Sequence, residues 1–228
     1  MQVALVTVGD ELLAGETVNT NATWLAEQLV ARGVDIERIT TVPDRVADIA
    51  RVVNEYHAEY DAVVVTGGLG PTHDDLTMEG IAAAFGRTLE PNDEALAWLE
   101  THGGYAREDL TDGTAEIPAG AQPLHNDAGV APGCIISSTY VLPGVPAEMK
   151  AMFERIEDEF SGTIEHVTTV AVDEPESALL DRFEELRARF DVAVGSYPGE
   201  LVRVKISGTD ASVVEAATEW FIERVTTA

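Results

Sequence analysis

The chain has 228 residues, 45% of them hydrophobic, and carries 41 Asp and Glu against 14 Lys and Arg, a formal charge of −27. That apolar share supports a packed core and argues against general disorder, while no run of about 18 apolar residues is present to span a bilayer. A nucleic-acid backbone is a poor partner for such a surface, because the few cations are scattered along the chain.

In chain order, residues 3–8 form a continuous apolar run of the kind buried on both faces of a parallel sheet. Asn21 can cap a helix whose apolar positions Trp24, Leu25, Leu29 and Val30 repeat at helical spacing, and Gly33 ends it. A strand is expected near 34–42, stopping at Pro43. A helix over about 45–58 follows, with Ile49, Val52, Val53 and Tyr56 on one stripe. Residues 61–66 read as a second buried strand ending in Gly67-Gly68, then 75–86 as a helix closed by Gly86. Alternation of strands and helices in this order predicts a parallel sheet with right-handed crossovers.

Residues 91–102 read as helical, and 103–133, rich in Gly, Pro, Asp and Thr, as loops and short pieces. Strands at 134–137 and 139–142 precede Pro143-Gly144 and a helix over about 146–160. After Ser161-Gly162 the pattern changes to strand 164–172, helix 176–190, a hairpin of 192–196 with 201–206, and helix 210–226. That β-α-β-β-α unit is too small for a second doubly wound sheet, so a boundary is placed near 162. The expected domains are 1–162 and 163–228.

The acid is evenly spread, with 21 acidic to 6 basic residues in 1–114 and 20 to 8 in 115–228. An even, Lys-poor acidic surface reads as adaptation to high salt, where self-repulsion is screened. Cys134 is the one cysteine, so no intramolecular disulfide can form, and its apolar setting Cys134-Ile135-Ile136 predicts a buried thiol. The N-terminus enters a strand without a basic stretch or cleavage site, so a reducing, cytoplasmic location is expected.

Open parallel sheets bind ligands beyond the carboxyl ends of their strands. Polar and Gly-rich residues gather there three times. Strand one is followed by Gly9-Asp10-Glu11 and by Asn19-Thr20-Asn21, and strand two by Pro43-Asp44. Strand three is followed by Thr66-Gly67-Gly68-Leu69-Gly70-Pro71-Thr72-His73-Asp74-Asp75-Leu76-Thr77. The free amides of that third loop suit a phosphate, although a plain tight turn has the same composition. Asp74 and Asp75 beside a phosphate call for a bridging cation such as Mg²⁺. One of the two is also expected to cap the following helix. Asp44 arrives from the neighbouring strand end. Asp10 and Glu11 can orient a ribose or a cation, and Asn19 and Asn21 can serve as a ligand amide and a helix cap respectively. His73 is a weaker ligand contact, and His57, His102, His125 and His166 have no metal spacing. The segments 126–133 and 142–149 are further Gly/Pro turns. The second places Gly144 and Pro146 at a helix start on the same sheet edge. No Gly-x-Ser-x-Gly elbow or Cys/His set occurs, which disfavours a hydrolytic triad.

Gly9 to Leu13, Asn19 to Asn21, Thr66 to Thr77, Asn126 to Gly133 and Leu142 to Met149 together resemble the CinA family. More broadly they resemble the molybdopterin-binding fold of MoaB, MogA and part of MoeA. The resemblance covers about residues 1–160. Residues 164–228, with Gly195-Ser196-Tyr197-Pro198, look like the small KH-type domain of CinA proteins, yet lack the Gly-x-x-Gly loop that grips RNA. The C-terminal nicotinamide-nucleotide amidase domain of bacterial CinA has no counterpart here, so that activity is not expected.

The resemblance implies a three-layer α/β/α, mostly parallel sheet with a small C-terminal α+β domain. It implies either metal-dependent cleavage of ADP-ribose-like pyrophosphates or adenylylation of molybdopterin with MgATP. A non-catalytic nucleotide-binding module is a third reading. In MogA-type proteins paired aspartates act at positions matching Asp44 and Asp75. Leu69 and Asp74 stand where those proteins usually have Thr and Arg, and both departures match CinA. On this reading Asp44 and Asp75 are catalytic, and Asp74 with Asp75 holds the metal. Gly9, Asp10, Glu11, Asn19, Asn21, Thr66, Gly67, Gly68, Gly70, Pro71, Thr72, Gly144 and Pro146 bind substrate and phosphate. Mg²⁺ or another divalent cation is the expected cofactor, with no haem, flavin or iron–sulfur cluster. The expected partner is a nucleotide or pterin, with no nucleic acid and no membrane. A homodimer or homotrimer is implied.

Overall fold

Apolar runs without a polar side are stable as strands only where both faces of a sheet are covered. In the computed structural model, which describes residues 1–70, 72, 74–103, 110 and 113–227, the chain divides into two compact units, Met1–Gly162 and Thr163–Ala228.

The first unit is built on β1 (Gln2–Val8), β2 (Asp35–Val42), β3 (Ala62–Gly67), β4 (Leu89–Pro91), β5 (Glu116–Pro118), β6 (Gln122–Leu124), β7 (Gly133–Ile136) and β8 (Thr139–Pro143). Six of these form one sheet in the order β2-β1-β3-β8-β7-β6, while β4 and β5 pair separately. The neighbours β2, β1, β3 and β8 are parallel, and β7 and β6 continue antiparallel. Helices are α1 (Asp10–Leu13), α2 (Thr20–Ala31), α3 (Val46–Glu59), α4 (Thr77–Ala84), α5 (Asp93–Trp98) and α6 (Pro146–Phe153).

Alternate strand residues bury on opposite faces. Val6, Val63, Val65 and Val141 join Ile49, Val53 and Ile81 of α3 and α4 in one core. Leu5, Val64 and Leu142 join Leu25, Leu29, Met149 and Phe153 of α2 and α6 in the other. The result is the expected three-layer α/β/α unit. Gly80 lets α4 lie directly on Ile49 of α3, where a Cβ would stand 2.6 Å from the Ile49 Cβ. Cys134 is fully buried, and burial pushes its thiol up to about 12.

The second unit holds β9 (His166–Val172), α7 (Leu180–Arg189), β10 (Ala193–Tyr197), β11 (Val202–Gly208) and α8 (Ala211–Ile222). Its antiparallel sheet runs β10-β11-β9. Val170, Val204 and Ile206 pack on Phe183, Leu186, Ala217 and Phe221. Asp210 caps α8 by accepting from the amides of Ser212 and Val213.

Several local expectations are corrected. Asn19, not Asn21, caps α2, because Asn19 Oδ1 accepts from Ala22 N–H at 3.1 Å. Neither Asp74 nor Asp75 takes the cap of α4, where Leu76 occupies the cap position without a side-chain cap bond. Val30 points outward at 56% exposure, since Leu25 and Leu29 already fill the buried stripe of α2. The helix expected over 91–102 is interrupted, α5 giving way to a wider π turn over Leu99–Gly103. Within the stretch read as loops lie β5 and β6, and β6 pairs with β7 at the sheet margin. Three-residue strands are too short to leave a periodic signal.

Candidate functional site

The parallel strands β2, β1, β3 and β8 all point their carboxyl ends to one sheet edge, so the segments following them meet there. A cavity of about 730 Å³ opens at that edge. Five carboxylates line it, those of Glu11, Asp44, Asp74, Asp75 and Glu148, and no Lys, Arg or His stands among its described lining residues. Gly9, Gly68, Gly70 and Gly144 give it backbone walls, and Leu69, Leu110, Val130 and Val145 give it apolar ones.

Asp44 is the most constrained of the acids. Its Oδ2 accepts from the Asp10 N–H at 2.8 Å, joining the ends of β2 and β1. Burial raises its pKa, and the nearby charges of Asp10, Glu11 and Asp74 push the same way against the lowering effect of the Asp10 amide. Four acids thus share one electrostatic neighbourhood.

Asp75 has a different task. Its Oδ2 accepts from the Thr72 N–H at 3.2 Å and from the Thr72 hydroxyl. A Cβ on Gly68 would collide with its Oδ1, and one on Gly70 would lie 2.7 Å from its Oδ2. The glycines after β3 are therefore required by the Asp75 carboxylate itself, which folds back into the loop. Similarly, Gly9 admits the Glu11 carboxylate, whose Oε1 would lie 2.5 Å from a Cβ there.

Most of the expected site residues divide between two cavities. Gly9, Glu11, Asp44, Gly68, Gly70, Asp74, Asp75 and Gly144 line the large one. Asn19, Asn21, Thr66 and Pro146 line a neighbouring cavity of about 100 Å³ that shares Glu11 and Gly144. Both asparagines are already engaged. Asn19 Nδ2 donates to Thr7 Oγ1 at 2.9 Å, and Asn21 Nδ2 donates to Gly144 O at 2.7 Å. Thr66 Oγ1 donates to Pro143 O at 2.6 Å, which ties β3 to β8. Asn21 Oδ1 is buried and takes no hydrogen bond among the described residues. Thr72 lines a third cavity of about 140 Å³ that shares Leu69, Gly70 and Asp75 with the large one. Asp10 contributes its backbone amide to Asp44. Gly67 packs against Val8, Thr77 and Gly144 inside the protein. Pro71 and His73 lie outside the described residues.

The sequence marks segments 126–133 and 142–149 as Gly/Pro turns but assigns no role to the Val130 or Glu148 side chain, and it does not mark Leu110. Glu148 sits in the first turn of α6, where an acid is ordinary helix chemistry, so nothing local marked it. Among the described residues no three His, Cys, Asp or Glu side chains form a metal cage. Mg²⁺ takes only one or two protein carboxylates and completes its shell with water and phosphate, so the oxygen-only donor set here suits it.

The family described as "Probable molybdopterin binding domain" matches residues 4–161. The chain belongs to that family. A protein of Archaeoglobus fulgidus is 40% identical over 225 residues, spanning 98% of this chain and 97% of the relative. Protein PF0476 of Pyrococcus furiosus is 38% identical over 236 residues, spanning 95% and 94%. The crystal structure of the protein CinA from Thermoplasma acidophilum superposes with a TM-score of 0.64 at 37% identity, covering 70% of this chain and 97% of that one. The molybdopterin-binding family assignment covers the unit that carries the large cavity, and the relationship to CinA expected from the strand-end motifs holds for the same unit. No helix among the described residues is long and apolar enough to cross a membrane.

Proposed function

We propose that this molybdopterin-binding-type domain is a divalent-cation-dependent enzyme acting on a nucleotide pyrophosphate of the ADP-ribose class. One observation carries the reading: a ligand-sized cavity at the strand ends is walled by five carboxylates with no described basic side chain. An anionic phosphate can enter such a place only with a cation to offset the repulsion.

Asp74 and Asp75 would hold the cation, with Asp44 beside them. The cation, when bound, would offset charge on the pyrophosphate and favour ionisation of water. Asp44 is oriented by the Asp10 amide and would position and deprotonate the attacking water. The amides of Gly68 and Gly70 would steady the phosphates, and Asp75 keeps their loop in shape through Thr72.

The test is turnover of ADP-ribose by purified protein in high salt across a panel of divalent ions. No turnover with any ion, or full activity after Asp44→Asn, would overturn the reading. A second reading, molybdopterin adenylylation, is favoured by the family match over residues 4–161. It requires pterin binding and AMP transfer from ATP, and absence of both removes it.

A further inference from the structure

The acids around Asp44 account for one part of the cavity wall. Glu148 also lines the cavity. It stands in the first turn of α6, two residues after Pro146, so the helix fixes its backbone. Its Oε2 accepts from Asn126 Nδ2 at 2.7 Å. Asn126 is only 4% exposed and its amide is fully spent. The same Nδ2 donates to Ala131 O at 3.1 Å, and Oδ1 accepts from the Ala128 N–H at 3.2 Å. Gly129 leaves the space that the carboxylate fills, because a Cβ there would collide with Glu148 Oε2.

One oxygen of Glu148 is therefore pinned and the residue lines the cavity, while Oε1 takes no hydrogen bond among the described residues. The same cavity has apolar lining, including Val130, the residue after Gly129, and Leu110. Val130 and Leu110 pack on the small cluster of Ala95, Leu99 and Ala115. The nearby charges that raise the Asp44 pKa are those of Asp10, Glu11 and Asp74. A rigidly held carboxylate in a cavity that also has apolar surface repels phosphate but anchors an uncharged donor strongly.

Resting on the proposed reading of this cavity, we propose that Glu148, held by Asn126, is a specificity determinant. It accepts a hydrogen bond from an uncharged donor on the organic part of the ligand, a sugar hydroxyl of a nucleotide or a ring N–H or amino group of a pterin. Glu148→Gln reverses this chemistry without changing shape. Asn126 can only donate toward residue 148, so the Gln carbonyl oxygen faces Asn126 and the NH₂ group faces the cavity, a donor in place of an acceptor.

The experiment is calorimetric binding of ADP, 2′,3′-dideoxy-ADP and 6-hydroxymethylpterin with Mg²⁺ to wild type, Glu148→Gln and Asp44→Asn, with melting curves as the folding control. Loss of a hydrogen bond to a charged acceptor predicts binding weakened about 10- to 100-fold in Glu148→Gln. If the donor is a sugar hydroxyl, the loss appears with ADP and is absent with the dideoxy compound. If the donor is on a pterin, the loss appears with the pterin alone. Binding by Glu148→Gln as tight as by wild type, while Asp44→Asn weakens it, overturns this proposal and leaves the reading of the cavity standing. Equal weakening of ADP and its dideoxy analogue, with the pterin unaffected, also overturns it. Failure of wild type to bind any of the three overturns both. Should Glu148→Gln melt early, Glu148→Asp keeps the charge but withdraws it, and must show the same ligand pattern with a smaller loss.

Discussion

Asp44 at the end of β2 accepts a hydrogen bond from the backbone N–H of Asp10 at the end of β1, 2.8 Å away. The bond places a carboxylate among three other acids whose charges raise its pKa after burial has already done so. Asp44→Asn keeps an acceptor for that amide and removes one mutually repelling charge. Its melting temperature should be unchanged or higher, with stability within about 1 kcal/mol of wild type. Mg²⁺-dependent ADP binding should weaken at least about tenfold. Calorimetry and thermal denaturation on one preparation test both.

Gly68 and Asp75 are coupled by contact, since a Cβ on Gly68 would collide with Asp75 Oδ1. Gly68→Ala should destabilise by about 1–3 kcal/mol through forced displacement of the carboxylate. Combined with Asp75→Ala, which empties the space, it should cost less than the two single changes added together. A double-mutant cycle in urea measures the difference, and strict additivity would contradict the contact.

Cys134, on β7, is fully buried, with a thiol pushed up to about 12 by burial. It should be inert to alkylating and disulfide reagents in the native protein and react only after denaturant is added. Native-state labelling as fast as that of a small free thiol would contradict its burial.

His125 stacks on Trp98 at 4.2 Å, with the ring of His102 3.8 Å from the same indole. Burial lowers the His125 pKa, only partly opposed by Glu94 and Asp127, while Arg155 and His102 act with it. The folded state therefore favours the neutral ring. Stability from this site is complete above the unfolded value of about 6.5 and is lost as pH falls through it, because the unfolded chain takes the proton first. The stability difference between wild type and His125→Gln should shrink from about pH 7.5 to about pH 5.5. A difference that grows on acidification would reverse the assignment.

A net charge of −27 spread evenly along the chain should make stability salt-dependent. Raising KCl from about 0.2 M to about 2 M screens the repulsion and should raise the melting temperature by several degrees. A flat or falling response would remove the high-salt reading of the composition.

The sheet was legible because Val3–Val8 and Ala62–Gly67 lack a polar side, and the edge carrying the cavity followed from strand order. Finer features were not, for reasons of register and distance. Asn19 and Asn21 are equally good caps by residue type, and only a three-residue offset to Ala22 decides between them. Glycines after β3 suggested approach to a ligand, yet the group that needs the space is Asp75, five to seven residues on. The Glu148–Asn126 pair spans 22 residues and joins two turns whose sequences give no hint of each other. Side chains that meet only through the tertiary fold leave no spacing to read.

The pairing of β3 with β8, Val63 against Thr139, has a kinetic consequence. The central strands of the sheet are far apart in the chain, so a long loop must close before this ladder forms. The Pro143-Gly144 wall of the cavity arrives with β8, and Glu148 just after it. A nascent chain that has released β1, β2, β3 and the loop after β3 can pair those three strands, but it exposes the β3 edge and carries Glu11, Asp44, Asp74 and Asp75 without the Pro143-Gly144 wall and Glu148. Completion of the cavity is thus a late event in folding, and ligand that requires both walls will bind the finished unit and shift the folding equilibrium toward it.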